Sequence, residues 1–544
     1  MEHTADVRVP VLVVGGSLVG LSTSLFLSRH GVRHLLVEKH AGTSDHPRGR
    51  GINARTMELF RTAGAEAEIR RAASVLENNM GIIQTESLTG GDHKWLVKAI
   101  DPDGALSKFS PTGWCVCSQN NIEPILAAQS RAQGADVRFS HELMSFDQDA
   151  TGVNALVKDR ETGEHLTVRA DFLIAADGPR SPVREQLQIP QTGSGELFHN
   201  VSVTFRSRQL VEVLGDLRFI VCYLMKPGAD GALLPVDNDT QWVFHLPWHP
   251  DRGETLEDFT EERCTAQIRA AIGVPDLDVE IGGKAPWHAA ERVAERYSSG
   301  RVFLAGDAAH EMSPTGAFGS NTGIQDAHNL AWKIAAVLDG SAGIGLLDTY
   351  GVERLPVALA TAERASARSA EHSHPGYAPP PTMGGGPGSG VLTTAMAYAY
   401  PRGAVVGADP DRPVIPEGLR MKGDVGTRAP HLWLTRRDGE RVSTLDLYER
   451  SFVLLSGADT PWQAAARQVA EKLSVKLDAY TIGSAPDCDL VQAAEADWTA
   501  VHELTEAGAL LVRPDGFVAW RSQGAVADPR AALLEALSTV LRRA

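Results

Sequence analysis

The amino end of the chain carries a regular order of apolar patterns. Residues 7–14 form one continuous β-branched run, which is typical of a strand buried on both faces of a parallel sheet. The chain turns through a glycine-containing segment at residues 15–20, and apolar residues then recur at helical spacing over residues 21–30. A second apolar strand at residues 32–37 ends at Glu38. These patterns predict a βαβ unit and place the chain in the α/β class.

Two later strands lead into short polar turns. Residues 171–176 lead into Asp177-Gly178, and residues 301–305 lead into Gly306-Asp307, after which residues 321–338 have the pattern of a long helix. Between them, residues 197–290 carry aromatic and β-branched runs that are typical of a second sheet. We therefore predict a Rossmann-like, discontinuous cofactor-binding domain (residues 1–190 and 291–404) with an inserted β-sheet substrate domain (residues 85–115 and 191–290).

The remainder of the chain predicts a separate α/β unit. A Pro/Gly tract at residues 372–390 indicates a mobile loop or linker, and a boundary is expected near residue 405. Beyond it the patterns predict strands at 451–455 and 476–482, helices at 462–473 and 529–543, and a hairpin over 509–520. The third domain is therefore predicted to span residues 405–544.

The composition of the chain argues against several classes of protein. The 544 residues have a formal net charge of −16, which disfavours nucleic-acid binding because phosphate affinity needs clustered basic charge. No apolar run approaches the roughly 20 residues of a membrane span, and the first apolar run is too short for a signal peptide. The five cysteines form neither a disulfide framework, nor a zinc spacing, nor a C-x-x-C pair. We expect a cytoplasmic protein that uses no metal, nucleic acid or membrane and keeps its thiols reduced and mostly buried.

The first glycine turn predicts a dinucleotide site. It places backbone N–H groups and a helix N-terminus where a pyrophosphate can bind, although Ser17 replaces the middle glycine of the G-x-G-x-x-G pattern. The turn alone is a weak signal, because plain strand–helix connections also use glycine. Glu38 at the end of the next strand strengthens it, since its carboxylate can accept from a ribose hydroxyl. An acidic residue there favours FAD or NAD over NADP at this site.

The segment that starts at Gly306 favours FAD over NAD. A chain that binds only NAD through its first βαβ unit has no need of a second strand, turn and helix far along the sequence. The Asp307 carboxylate can accept from ribityl hydroxyls, and the turn at residues 316–319 lets backbone approach a flat ring. The N-terminus of the following helix would direct partial positive charge at a reduced flavin.

These motifs together resemble the p-hydroxybenzoate hydroxylase-like (class A) flavoprotein monooxygenases. GGSLVGL from Gly15, DGPRSPVR from Asp177 and GDAAHEMSPTGAFGSNTGIQDAHNLAWK from Gly306 match the three family fingerprints in order and spacing. SDHPRGRGINARTMELFR from Ser44 and the ending LLVRPDGFVAWR resemble the branch that hydroxylates polycyclic aromatic polyketides, such as the tetracenomycin, aklavinone and angucycline hydroxylases. In that branch the last domain has a thioredoxin-like fold without redox cysteines.

The resemblance implies the cofactor contacts. The first turn would bind the pyrophosphate, Glu38 the adenosine ribose and Asp307 the ribityl chain. Pro314 would lie beside the ring, and residues 319–321 would offer backbone to its pyrimidine edge. The full set of implied cofactor-binding residues is Gly15, Ser17, Gly20, Glu38, Arg48, Gln119, Asp177, Gly178, Asp307, Pro314, Gly319, Ser320 and Asn321.

The resemblance also implies the reaction. It indicates an FAD-dependent monooxygenase that uses NAD(P)H, with NADPH favoured, and O2 to hydroxylate a polycyclic aromatic substrate through a C4a-hydroperoxyflavin. The sequence assigns no catalytic side chain, and both a monomer and a homodimer stay open. Three alternatives also stay open: a Baeyer–Villiger oxygenase, an antibiotic-inactivating flavin hydroxylase, and a flavoprotein without oxygenase activity.

Several conspicuous residues have a structural explanation as well as a functional one. Histidines 46, 288 and 310 are candidate acid–base groups, but a histidine is more often a hydrogen-bonded structural residue. Tryptophans 242, 248 and 287 suit either an aromatic pocket or a core. We expect burial rather than reactivity for Cys115 and Cys117.

Overall fold

A computed structural model describes residues 5–101, 103–372, 390–494 and 496–543. The Pro/Gly tract that was predicted as a linker lies outside the described residues over positions 373–389. The helices are α1 (Leu18–Arg29), α2 (Ala54–Thr62), α3 (Glu66–Ala73), α4 (Gln119–Ala132), α5 (Pro182–Gln186), α6 (Gln209–Leu214), α7 (Glu261–Ile272), α8 (Phe318–Leu338), α9 (Thr349–Glu371), α10 (Val391–Met396), α11 (Trp462–Leu473), α12 (Trp498–His502) and α13 (Pro529–Val540).

The strands form three large sheets and one two-stranded pair. They are β1 (Val7–Val14), β2 (His34–Val37), β3 (Gly51–Ile52), β4 (Ile82–Thr85), β5 (Lys94–Val97), β6 (Cys115–Val116), β7 (Asp136–Arg138), β8 (His141–Gln148), β9 (Val153–Asp159), β10 (His165–Ala175), β11 (Gln191–Arg206), β12 (Val221–Leu224), β13 (Gly231–Pro235), β14 (Gln241–Trp248), β15 (Glu280–Ala294), β16 (Ser298–Ser299), β17 (Val302–Leu304), β18 (His310–Glu311), β19 (Trp433–Arg436), β20 (Arg441–Ser443), β21 (Phe452–Gly457), β22 (Leu477–Gly483), β23 (Leu490–Gln492), β24 (Ala509–Val512) and β25 (Val518–Ser522).

The first sheet is parallel at its centre. Its order is β16-β17-β10-β1-β2-β7, and β1 pairs in parallel with both β2 and β10. The second half of β1, residues 11–14, is buried, as the continuous apolar run predicts. Strand β10 begins at His165, six residues before the strand that is predicted at residues 171–176. Residues 165–170 stay extended because they pair with β9, and residues 168–170 also pair with β1 on the other side.

The second sheet has two faces of different character. Its order is β18-β15-β11-β14-β13-β12-β4-β5. We call the face that carries Asn200, Ser202, His245 and Trp287 the inner face, since cross-strand register places Asn200 opposite Trp287 and Ser202 opposite His245. The opposite, outer face packs an apolar layer against α6 and α7. This sheet therefore has one face sealed by its own helices and one face directed elsewhere.

The carboxy-terminal unit is built on the third sheet. The order is β20-β19-β23-β22-β21-β24-β25, with β21 and β22 parallel and β24 and β25 forming an antiparallel hairpin. Leu454 packs with α11 and α13 on one face, and Val453 packs with a second apolar cluster on the other. The domain boundaries near residues 190, 290 and 405 stay predictions.

Buried ion pairs join this unit to the rest of the chain. Glu353 on α9 accepts hydrogen bonds from Arg513 (2.6 and 3.0 Å), from Lys333 on α8 (2.7 Å), from Asn329 (2.8 Å) and from the backbone N–H of Ala404 (2.8 Å). The charged side chains of Glu353, Lys333 and Arg513 are 0% exposed. Because an unpaired buried charge is costly, these contacts bind the carboxy-terminal unit to α8 and α9.

None of the helices in the described part of the chain is long and apolar enough to cross a lipid bilayer.

Candidate functional site

Three strand ends meet at one edge of the first sheet. Strands β17, β10 and β1 lie side by side and run parallel, so their carboxyl ends point the same way. Ala176 N–H donates to Val14 (2.8 Å), and Ala305 N–H donates to Ala175 (2.9 Å). The turns that begin at Gly15, Asp177 and Gly306 are therefore neighbours, although they are distant in sequence. The carboxyl edge of such a sheet is where ligands bind in open α/β folds.

Close packing explains the glycines of the first turn. Gly15 has φ +105°, and a Cβ there would lie 2.1 Å from the Ala176 carbonyl oxygen. A Cβ on Gly20 would lie 1.8 Å from the Gly15 carbonyl oxygen. Both positions need glycine so that α1 can pack tightly on β1 and β10, which is one of the roles of glycine in this motif.

Ser17 and Gln119 belong to one hydrogen-bonded cluster. Gln119 Nε2 donates to Ser17 Oγ (2.9 Å), and both donate to Glu123 Oε1 at 2.7 and 2.6 Å, respectively. The other Glu123 oxygen accepts from Ser44 N–H (2.8 Å), so Glu123 also holds the loop after β2. Sequence reasoning missed Glu123, although its position one helical turn after Gln119 was a usable signal.

Glu38 lies beside the same turn. Its Oε2 accepts from Gly16 N–H at 2.6 Å, and its Oε1 accepts from His40 N–H at 2.9 Å. The carboxylate is thus fixed at the end of β2, the position at which a ribose acceptor is expected.

Arg184 joins the second turn to the third. Its guanidinium donates to the carbonyls of Ala308 (3.0 Å) and Pro179 (2.9 Å). Asp177 accepts from Val183 N–H (3.3 Å), and burial raises the pKa of its carboxyl. Asp177 and Gly178 therefore lie in a segment that is held against the Asp307 turn.

Asp307 lies exposed in the turn that follows β17. Its side chain is accessible to solvent, yet protein surrounds it closely enough for burial to raise the pKa of the carboxyl. Next to it, Asp326 on α8 accepts from Gly306 N–H (3.3 Å) and pairs with His310 Nε2 (2.8 Å). His310 is 0% exposed, so it is a structural residue rather than an acid–base group. Asp326, an acid on the apolar face of a helix, was not singled out from the sequence.

The Pro314 turn and the start of α8 form one wall. Pro314 is exposed, while its neighbour Thr315 is buried and accepts from Ser369 on α9 at 2.6 Å. α8 begins at Phe318, three residues before its predicted start, because Ala317 takes a left-handed conformation (φ +54°) immediately before it. Residues 319–321 thus fall in the first turn of α8, where backbone N–H groups lack intrahelical acceptors.

The Asn321 side chain makes structural hydrogen bonds within the protein. Its Oδ1 accepts from Asn53 N–H (3.0 Å), and its Nδ2 donates to the carbonyls of Gly51 (2.8 Å) and Ala317 (2.6 Å). Only the backbone of Asn321 is thus left for a cofactor. Ser320 lies near Gly49, since a Cβ on Gly49 would be 3.9 Å from Ser320 Oγ.

The inner face of the second sheet lies opposite this wall. His46, on the loop that carries Arg48, has its Nε2 at 3.2 Å from Ser202 Oγ. Tyr223, on the inner face of β12, hydrogen-bonds to Thr315, which follows Pro314. The loop at residues 44–50, the Pro314 turn and the inner face therefore enclose one region.

Strand register decides which of the other candidate residues lie on the inner face of the second sheet. Trp287 lies on the inner face, where its Nε1 donates to His245 Nδ1 (3.3 Å). Trp242 lies in the outer apolar layer, and Trp248 shares the outer face with His199. His288 is also on the outer face and pairs with Glu311 at 3.3 Å. Of these candidates, only His46 and Trp287 lie in the enclosed region.

The thiols and metal-binding groups give no catalytic site in the described residues. All five cysteines are buried and unpaired, and burial raises the pKa of the Cys117 thiol to about 12. No group of three or more His, Cys, Asp and Glu side chains in the described ranges is placed to hold a metal ion.

This geometry fits FAD. The Asp307 carboxylate is an acceptor that no described donor satisfies, which suits ribityl hydroxyls. The free N–H groups of the first turn of α8 suit an electron-rich ring edge, and the tight turn after β1 suits a pyrophosphate.

Comparison with known proteins agrees with the geometry. A family model described as the FAD binding domain matches residues 8–365, and one described as the aromatic-ring hydroxylase carboxy-terminal domain matches residues 422–544. The chain belongs to the FAD-dependent aromatic-ring hydroxylases. The predicted family, the flavoprotein monooxygenase type and the fold class are thereby confirmed.

Three relatives place this hydroxylase within its family. A Streptomyces halstedii protein named "Putative polyketide hydroxylase" is 64% identical over 98% of this chain and 97% of its own. Tetracenomycin A2 monooxygenase-dioxygenase of Streptomyces glaucescens is 42% identical, over 98% of this chain and 97% of its own. The solved ternary complex of aklavinone-11 hydroxylase with FAD and aklavinone has a TM-score of 0.89 at 37% identity, over 99% of this chain and 100% of the other.

Proposed function

We propose that this hydroxylase uses NAD(P)H, with NADPH favoured, and O2 to add one oxygen atom to a polycyclic aromatic substrate of the polyketide type. The observation that carries the proposal is the meeting of three strand ends and the N-terminus of α8 opposite the polar inner face of the second sheet. The relatives support the substrate class, since their names refer to polyketide, tetracenomycin and aklavinone chemistry.

The proposed cofactor contacts follow the geometry of the site. Bound FAD would supply the redox chemistry, taking a hydride from the nicotinamide and activating O2. The first glycine turn and Glu38 would hold the pyrophosphate and adenosine ribose, Asp307 the ribityl chain, and the backbone of residues 319–321 the pyrimidine edge. The N-terminal dipole of α8 would stabilise negative charge there without any reorganisation. Arg48, Gln119, Pro314 and the Asp177 segment would complete the site.

The inner face would position the substrate ring and exclude water. Burial raises the pKa of Tyr223 to about 12, so this phenol keeps its proton at neutral pH. Its hydrogen bond to Thr315 ties the sheet to the turn that carries Pro314. Tyr223 would therefore help to close the region between the sheet and the cofactor rather than act as a base.

Turnover with a panel of substrates tests the reaction. Polycyclic phenols such as hydroxyanthraquinones should accelerate NADPH oxidation and O2 consumption together, and the product should gain the mass of one oxygen atom. Product structure by NMR separates a new phenol from the ring-expanded lactone of a Baeyer–Villiger reaction. NADPH oxidation that no aromatic compound accelerates would contradict the proposal.

Asp307→Asn tests the cofactor geometry directly. The amide keeps the size of the side chain but weakens an acceptor that charge makes strong, so FAD affinity should fall about tenfold to hundredfold. Titration of the apoprotein with FAD measures the change. Asp339→Asn, at the other end of α8 and exposed, is the matched control and should bind FAD like the wild type. Wild-type affinity in Asp307→Asn would contradict the placement of Asp307.

A further inference from the structure

We propose that Arg50 is a specificity-determining residue that binds an anionic oxygen of the aromatic substrate, either an ionised phenol or enol or a carboxylate. The proposal rests on the proposed function, since it assigns the substrate chemistry of the same enclosed region.

Arg50 is a buried cation that lacks an acidic partner among the described residues. Its residue surface is 6% exposed, and its Nη2 is buried without a hydrogen-bond partner. Nη1 donates to the carbonyl of Pro235, the last residue of β13. Among the other buried guanidiniums, Arg354, Arg428 and Arg513 each contact a carboxylate.

Burial makes the charged guanidinium of Arg50 unfavourable without an anion. His46 lies close to Arg48 and Arg50, and burial followed by the charges of these two arginines lowers the pKa of His46. Burial also lowers the pKa of Arg50 itself, which nevertheless stays charged at neutral pH. A buried guanidinium that has no carboxylate partner favours an anionic ligand that forms charge-assisted hydrogen bonds.

The position of Arg50 points to the substrate. Its backbone lies between Gly49 and Gly51, beside the start of α8, and its hydrogen bond to Pro235 anchors the guanidinium on the second sheet. His46, four residues earlier, contacts Ser202 on the inner face. Asn200, on that face two residues from Ser202, is 1% exposed and has a second buried unpartnered donor, Nδ2. Asn200 and Ser202 lie about 7 Å apart along the extended strand β11, so the polar side chains of the inner face cover a length that suits fused rings.

Three flat ligands with one ring system test the inference on the wild type. They are 2-hydroxyanthraquinone, anthraquinone-2-carboxylate and 2-methoxyanthraquinone, of which only the first two can carry an anionic oxygen. Binding is measured by perturbation of the flavin absorption in the oxidised holoenzyme, without NADPH, at a pH where the phenol is ionised. We expect the phenolate, the carboxylate or both to bind at least about tenfold more tightly than the methyl ether. Which of the two binds tightly distinguishes the sources of the anionic oxygen.

Variants of Arg50 locate the preference. Arg50→Gln should weaken anion binding about tenfold to hundredfold and leave the methyl ether nearly unchanged, while FAD content stays at the wild-type level. Arg50→Lys keeps the charge but loses the planar fork, so it should retain part of the preference. Arg33→Gln is the matched control, because Arg33 is exposed and precedes β2, at the edge of the sheet opposite the site.

Three results would overturn the inference. The first is a wild type that shows no preference for either anion over the methyl ether, which needs no variant to be folded. The second is an Arg50→Gln variant that keeps the preference, and the third is one that loses FAD, since Arg50 would then serve the cofactor. Because binding is measured without turnover, an enzyme that binds anions through Arg50 but never hydroxylates fails only the proposed function.

Discussion

Replacing Glu353 by Gln is expected to weaken the docking of the carboxy-terminal unit severely. The wild-type carboxylate compensates Lys333 and Arg513, and all three charged side chains are 0% exposed. The glutamine side chain has a similar volume but carries no charge. Arg513 then keeps the Asp515 carboxylate as a charged partner, and Lys333 loses the carboxylate of Glu353. Burial already lowers the pKa of Lys333 to about 8, so the loss of Glu353 favours its neutral form at neutral pH.

The expected magnitude is that of a broken buried ion pair, about 3 to 5 kcal/mol. At roughly 2 °C per kcal/mol for a large domain, the thermal midpoint should fall by about 6 to 10 °C. Calorimetry at one fixed scan rate measures the shift, because a chain of this size is prone to irreversible unfolding. Proteolysis near residue 404 should accelerate in parallel, since the backbone N–H of Ala404 loses its charged acceptor.

Two further variants test whether the lost stability comes from the buried ion pair. Glu440→Gln removes an exposed carboxylate that pairs with Arg436 (side chains 64% and 32% exposed), and it should cost less than about 1 kcal/mol. Glu353→Gln combined with Lys333→Met removes one of the orphaned cations and should recover at least about 1 kcal/mol. A Glu353→Gln protein as stable as Glu440→Gln, or a double variant less stable than Glu353→Gln, would refute this role of Glu353.

Two other predictions concern cofactor binding and pH. Gly319→Ala should fold normally, since its Cβ would meet Met312 only at 3.7 Å, but FAD affinity should fall at least about tenfold if the cofactor approaches this backbone. Gly351→Ala, with an equally open site at 3.7 Å from Tyr297, is its control, and equal FAD titrations of the two variants would exclude the contact. Burial lowers the pKa of the His502 imidazole to about 4 in the folded state, whereas the pKa in the unfolded chain is about 6.5. Between these two pKa values only the unfolded chain protonates this imidazole, so the free energy of unfolding should fall by about 2 kcal/mol by pH 5. His502→Asn, which can still donate to the Trp498 carbonyl, should lose less stability between pH 7 and 5 in urea titrations; parallel curves for variant and wild type would contradict the assignment.

The sequence alone determined the parts of the site that depend on local backbone. A buried strand that ends in a glycine turn, an acid at the end of the next strand and a polar turn before a helix each have a period or a spacing that is visible in the chain. The structure places Gly15, Asp177 and Asp307 at one sheet edge because parallel strands carry their carboxyl ends to the same side. The roles of these residues in holding FAD stay predictions with defined tests.

Only the tertiary structure decided which side chains face one another. Glu123 contacts Ser44, 79 residues away, Arg50 contacts Pro235, 185 residues away, and Asp326 pairs with His310 on another element. No local pattern encodes these three contacts. The sequence offers no way to tell whether Trp242 and Trp287 line a pocket or a core. Strand register places Trp242 in the outer apolar layer and Trp287 on the inner face, because a shift of one residue exchanges the two faces of a sheet. Periodicity therefore fixes which elements form, whereas register and long-range packing decide which residues form the site.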